Sequence, residues 1–239
     1  MKSVAIIPAR MDSTRLPGKG LLEISGQPML SILLDRLRRS DVIDEIVLAT
    51  TVRASDDALA DWANAENIPI YRGSLENVLN RFLGAARSVQ ADLVFRANGD
   101  SPLLSPEWIE RGRRQLEAEG LEFVTGKTSF TRLPSGIAGE WIKTNTLERL
   151  NRLVLDPEDL EHVTSYIFKS EKDFKWAPLG PVEPVYQNDS LRFVVDNKKD
   201  FEQLEEIINR IGPDVSEWSY PLLLETASSV QKNSKKVNL

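Results

Sequence analysis

The chain contains no cysteine, which removes disulfides, thiolate nucleophiles and sulfur-ligated metals together and fits a reducing compartment. Histidine is nearly absent too. With His162 alone, a nitrogen-rich zinc site is out of reach, and any metal must rest on oxygen, as carboxylate-bound Mg²⁺ does. Long apolar runs are also missing: nothing approaches the roughly 18 to 20 residues that a membrane-spanning helix needs. The opening run Val4-Ala5-Ile6-Ile7 stops at Pro8 and reads as a strand, not as a signal peptide. The sequence therefore reads as soluble and cytoplasmic, with no membrane partner. Basic residues are not in excess. Lys and Arg number 30 against 36 Asp and Glu, a formal net charge of -6, so nothing draws a nucleic acid polymer globally and any anion must meet a local basic cluster.

The 239 residues, 41% hydrophobic and 28% charged, suit one large domain. Short β-branched runs alternate with segments of helical period, the pattern of a mostly parallel sheet flanked by helices. Strands are expected at 4–7, 46–49 and 92–96, with a short extended piece at 68–71; helices are expected at 28–39, 56–66, 75–89 and from Ser105. After about Gly120 the pattern changes. Residues 123–126 and 137–142 read as strands of a different kind, joined by a polar stretch, and suggest a small protruding β arm or subdomain. Helices follow at 144–155 and 157–169, a return to sheet at 190–195, and a helix at about 198–210. The tail from Ser228 is polar and lysine-rich and reads as disordered, leaving one domain over 1–227.

The chemistry gathers at three places. Directly after the first strand runs Pro8-Ala9-Arg10-Met11-Asp12-Ser13-Thr14-Arg15-Leu16-Pro17-Gly18-Lys19, at the strand end where open α/β sheets bind ligands. Arg10, Arg15 and Lys19 can neutralise a polyphosphate, and Ser13, Thr14 and the backbone near Gly18 can donate hydrogen bonds. The spacing matches neither the Walker P-loop nor the GxGxxG fingerprint. Asp100, in Asn98-Gly99-Asp100-Ser101-Pro102-Leu103, ends the fourth strand, where a hard cation bridging phosphates would be held, although Asn-Gly-Asp is also a tight-turn sequence. Asp196 ends the last expected strand. It could reach the same edge, or Asp196 or Asn197 could cap the following helix.

With these motifs, and with 44–51, Tyr71-Arg72-Gly73-Ser74, Glu161-His162-Val163-Thr164 and Val194-Val195-Asp196 in order, the chain resembles the cytidylyltransferases that activate acidic sugars. These are the synthetases of CMP-sialic acid and CMP-Kdo, and the resemblance is greatest to their spore-coat polysaccharide SpsF branch. It spans about residues 3–210. It implies a three-layer α/β fold of the nucleotide-diphospho-sugar transferase kind, usually dimeric through the arm, with residues 122–185 as the sugar-side and dimer subdomain. The partners implied are CTP, an acidic sugar and a second copy. Carried over by position, Arg10, Arg15 and Lys19 hold the triphosphate with Pro8, Ala9 and Ser13 beside them, and Asp100 and Asp196 hold Mg²⁺. Thr50, Arg72, Ser74 and Asn98 surround base and ribose. Gly136, Glu140 and His162 face the sugar. Arg10, Lys19, Asp100 and Asp196 are the expected catalytic set.

Departures fall on the sugar side: Ser135-Gly136 replaces a common Asp-Gly pair, and Leu160 replaces an arginine before Glu161-His162. After Asp196, Asn197-Lys198 stands where Thr-Pro is commoner. The implied reaction is attack of a sugar hydroxyl on the α-phosphorus of CTP, chemistry that needs charge neutralisation and alignment more than a covalent nucleophile. Two rivals use the same residues. A glycosyltransferase of the related fold would use Asn98-Gly99-Asp100 for its metal; a silent nucleotide-binding subunit would keep Arg10 and Lys19 without needing both aspartates.

Overall fold

Alternation within strands that are buried on both faces sets the layers. In β1 (Ser3–Pro8), Ala5 and Ile7 point into one hydrophobic cluster and Val4 and Ile6 into another. A short antiparallel ribbon of β2 (Glu23–Ile24) and β3 (Gln27–Pro28) leads into α1 (Met29–Arg38). Then come β4 (Glu45–Thr51), α2 (Asp57–Ala65), β5 (Ile70–Gly73), α3 (Val78–Ser88), β6 (Leu93–Arg96) and α4 (Pro106–Ala118). The chain continues through β7 (Phe123–Thr125), α5 (Thr128–Thr131), β8 (Glu140–Lys143), α6 (Thr144–Leu153), α7 (Pro157–Glu161), α8 (Ser165–Lys169) and β9 (Trp176–Pro178). It finishes with α9 (Lys198–Ile211) and α10 (Tyr220–Val237). This computed structural model describes residues 1–212, 214 and 218–237, with side chains as far as Asn233.

The central sheet has the order β5-β4-β1-β6-β8-β7-β9, in which β8 alone runs against the others. Helices α1, α2, α4, α9 and α10 cover one face and α3, α6 and α8 the other, giving three layers. The expected α/β architecture is therefore present. No helix among the described residues is long and apolar enough to cross a membrane.

Four local expectations are corrected. The strands expected to form an arm, now β7 and β8, belong to the central sheet through β6; the small antiparallel piece outside it is the β2–β3 ribbon. Residues 190–195 make no strand among the described elements, only a single bridge from Arg192 to Ser135. Leu191, Phe193 and Val195 alternate into the core, so the two-residue period reflects side-chain burial without a ladder. The helix expected at 157–169 is two short ones, because Val163, at φ 31°, breaks it. Finally, the stretch from Ser228 continues α10 as far as Val237. Leu223, Ala227 and Val230 are buried in a row, a helical stripe that starts before the polar tail and so cannot be seen within it.

Candidate active site

Strand order reverses at β1: the chain builds β4 and β5 on one side and then crosses to β6 on the other. The carboxyl ends of β1 and β6 flank the crevice where such sheets take ligands. The loop after β1 is shaped by its own backbone. Ser13 and Gly18 both donate N–H to the Met11 carbonyl, at 2.9 and 2.8 Å, and the Met11 N–H is fixed by Asp56 Oδ1 at 2.7 Å. Gly18 takes φ 68°, a left-handed conformation that glycine adopts without penalty. The loop after β6 lies against it, since a side chain on Gly99 would place Cβ 2.8 Å from the Pro8 carbonyl oxygen.

Between these loops is a cavity of about 370 Å³. Pro8, Ala9, Arg10, Ser13, Arg15, Lys19, Asn98, Asp100, His162 and Asp196 all line it, so segments distant in sequence meet at one cavity. Lys19 is at its centre. Its Nζ lies 3.1 Å from Asp100 Oδ2 and 3.7 Å from Asp196 Oδ1, and donates to the Val195 carbonyl at 2.8 Å. Asp196 also pairs with Arg15 at 2.9 Å and with Arg192. Arg10 is held more loosely, 3.6 Å from Glu161. Asn197, not Asp196, caps α9: its side chain accepts from Asp200 N–H at 3.1 Å, and the Asp200 carboxylate accepts from Asn197 N–H at 3.2 Å, a closed capping box.

Asp100 and Asp196 thus present oxygens to one point, which an ammonium now neutralises. That donor set fits a Mg²⁺ ion, which takes one or two protein carboxylates and completes its shell with phosphate oxygens and water. Among the described residues no three His, Cys, Asp or Glu side chains group as a metal cage, so the pair would depend on the nucleotide for the remaining ligands.

A second cavity of about 360 Å³ adjoins the first, and Arg96 and Asn98 line both. Gly136 and Glu140 line this second space, whereas His162 lines the first. Gly136 has φ 88°, and a Cβ there would meet Val194 Cγ2 at 2.8 Å. Glu140 is a buried brace. It accepts from Arg96 at 3.0 Å, Thr125 at 2.9 Å and Thr164 at 3.0 Å, which leaves its carboxylate satisfied.

Three expected base-side residues do not reach the cleft. Thr50 is completely buried inside β4, because that strand carries side chains into both layers. Arg72 turns to Asp57 at 2.7 Å and to the carbonyls of Thr51 and Arg53 at 2.8 Å each. Ser74 is exposed and caps the turn before α3 by accepting from Asn77 N–H at 3.0 Å. Conversely, Arg81 and Arg96 line the cleft without having been singled out from the sequence, and Glu161, read there only as part of a motif, lines it too. Arg96 could have been found, since it stands at the strand end two residues before Asn98. Arg81 sits beside Phe82 and Leu83 within an apolar helical period, which hides it.

The cytidylyltransferase family model matches residues 4–228. The chain belongs to the cytidylyltransferase family. It is a CTP-dependent nucleotidyltransferase. Among relatives of this cytidylyltransferase, the uncharacterized protein MJ1063 of Methanocaldococcus jannaschii is 32% identical over 90% of this chain and 88% of its own length. The spore coat polysaccharide biosynthesis protein SpsF of Bacillus subtilis is 32% identical over 88% and 89%. A solved cytidylyltransferase from Leptospira borgpetersenii superposes with a TM-score of 0.88 at 29% identity, covering 98% of this chain and 96% of that one.

Proposed function

We propose that this cytidylyltransferase transfers CMP from CTP to a hydroxyl of an acidic sugar of the sialic acid or Kdo kind, releasing pyrophosphate, as a step of polysaccharide assembly. The observation that carries the reading is the convergence of Lys19, Asp100 and Asp196 beneath a basic loop, with a second, polar cavity opening from the same two residues, Arg96 and Asn98. One cavity suits a nucleoside triphosphate and the other an acceptor. Within the family we read the chain with the spore-coat branch, on its opening signature and its identity to SpsF, although MJ1063 is the better match. By the resemblance, the working form is a cytoplasmic homodimer of a single domain, with 122–185 on the sugar and dimer side.

Arg10, Arg15 and Lys19 orient the triphosphate and offset its charge, with Pro8, Ala9 and Ser13 forming the adjoining wall. Asp100 and Asp196 would hold Mg²⁺, which would supply further neutralisation of the phosphate charge. Phosphoryl transfer of this kind is governed by alignment and charge stabilisation. Asn98, at the junction of the cavities, sits between nucleotide and acceptor. Gly136 lets the 193–194 segment approach closely on the sugar side, Glu140 fixes Arg96, and His162 is a substrate contact without an assigned proton-transfer role.

The test is pyrophosphate release with CTP, ATP, GTP and UTP, each offered with keto-sugar acids and their neutral counterparts. Release confined to CTP with an acid supports the reading. Neutral sugars reacting as fast as their acids would remove the acidic acceptor.

A further inference from the structure

Three arginines are buried in this molecule: Arg113 pairs with Glu117 at 2.5 Å, while Arg36 and Arg81 each leave one buried nitrogen without a partner and differ in what lies beside them. Arg36 is inaccessible, and burial lowers its pKa to about 10. Its Nε donates to the Leu104 carbonyl at 2.9 Å and its Nη1 to the Trp218 carbonyl at 2.5 Å. It lines none of the cavities described and ties together three segments of the core. Arg81, on α3, is only 3% exposed, yet it borders the nucleotide-side cavity. One nitrogen, Nη1, donates to the Ser74 carbonyl and, at 3.4 Å, to that of Leu75. Its Nε is buried with no partner, and among the described residues no carboxylate lies within ion-pairing distance of it.

A guanidinium taken out of water without a counter-charge is costly. Here the cost is raised by a neighbour of the same sign. Burial, and then Arg10, press Arg81 below the usual arginine range, and Asp56 offsets this only in part. Asp56 itself is already committed to the Met11 N–H and the Thr51 hydroxyl. Of the four guanidiniums that border this cavity, Arg15 and Arg96 have close acidic partners, Arg10 has a loose one and Arg81 has none among the described residues. An anion bound between Arg10 and Arg81 would relieve both, and the planar fork of arginine suits phosphate oxygens.

We propose that Arg81 is a phosphate-binding residue of the transfer reaction, which with Arg10 grips the oligophosphate of the nucleotide from the α3 side of the cleft. The proposal rests on the reading of this cleft as the triphosphate site. It extends the anion-binding surface beyond the loop after β1 to a helix packed against β5, β4 and β1. The same contact serves pyrophosphate after transfer, since the two ligands share their chemistry.

The experiment uses the full chain, its Arg81→Met, Arg81→Lys and Arg10→Ala variants, and three ligands: CTP, inorganic tripolyphosphate and cytidine. Binding is measured by calorimetry with Mg²⁺ present, and unliganded melting temperatures are recorded. Arg81→Met is expected to weaken CTP and tripolyphosphate about tenfold or more, on the scale of a lost charge-assisted contact, and to leave cytidine unchanged. Arg81→Lys is expected to recover part of the loss. If Arg81 only braces the Ser74 and Leu75 carbonyls, both variants lower the melting temperature and weaken CTP and cytidine by the same factor, which overturns the proposal. Arg10→Ala losing tripolyphosphate while Arg81→Met keeps it also overturns the proposal but leaves the site reading intact. A parent protein that binds neither CTP nor tripolyphosphate overturns both.

Discussion

The backbone N–H of Val195 donates to the main-chain carbonyl of Asp100 at 2.8 Å. This bond ties the segment carrying Asp196 to the loop carrying Asp100, so the main chain holds the backbones of the two aspartates at a fixed separation. Asp100→Asn and Asp196→Asn are each expected to abolish most turnover. The double variant should lose far less than the product of the two losses, because groups acting as a unit are non-additive. Initial rates for the three variants decide it; an active, normally folded Asp196→Asn protein would sink the two-carboxylate site.

Asn197 supplies the contrast. Because the capping box of α9 is closed by Asn197 and Asp200, Asn197→Ala should cost about 1 kcal/mol of stability while retaining most turnover. Urea midpoints and rates measured together test this. If Asn197→Ala and Asp196→Asn lose activity alike, the division of labour between the neighbours is wrong.

Gly99 is the tightest point between the two site loops. Alanine there puts a Cβ 2.8 Å from the Pro8 carbonyl oxygen, so one loop must shift. Strain of about 1–3 kcal/mol is expected, together with a higher KM for CTP. An unchanged KM with an unchanged melting temperature would mean that the loops approach less closely than described.

The end of the chain is open to a direct check. A protein ended at Ser229 loses Val230, which is 1% exposed, and should be destabilised by about 1.5–3 kcal/mol. A tail that contributed no packing would leave the denaturation midpoint where it was.

How much of this was legible in sequence depended on whether the signal was local. Arg10, Arg15 and Lys19 stood out because three cations follow a strand within one loop, and Asp100 because a carboxylate closes a strand. Asp196 was ambiguous between metal ligand and cap, and the geometry separated the two by giving the cap to Asn197. Thr50 and Arg72 failed for a reason that sequence does not record: a residue at a strand end can face the core or an ion pair as readily as a cleft. Arg81 was invisible because it interrupts an apolar stripe on α3 that, without a fold, reads only as packing.

Arg96 and Glu140 are register partners on adjacent strands as well as an ion pair, and Arg96 stands where the two cavities meet, which the proposed function gives to different reactants. The spacing between donor and acceptor is therefore a property of the sheet itself. On the proposed reading, exchanging residues 127–139 would alter the acceptor without retuning the nucleotide end, so this pair marks the place at which new acceptor specificity would be grafted onto an unchanged transfer engine.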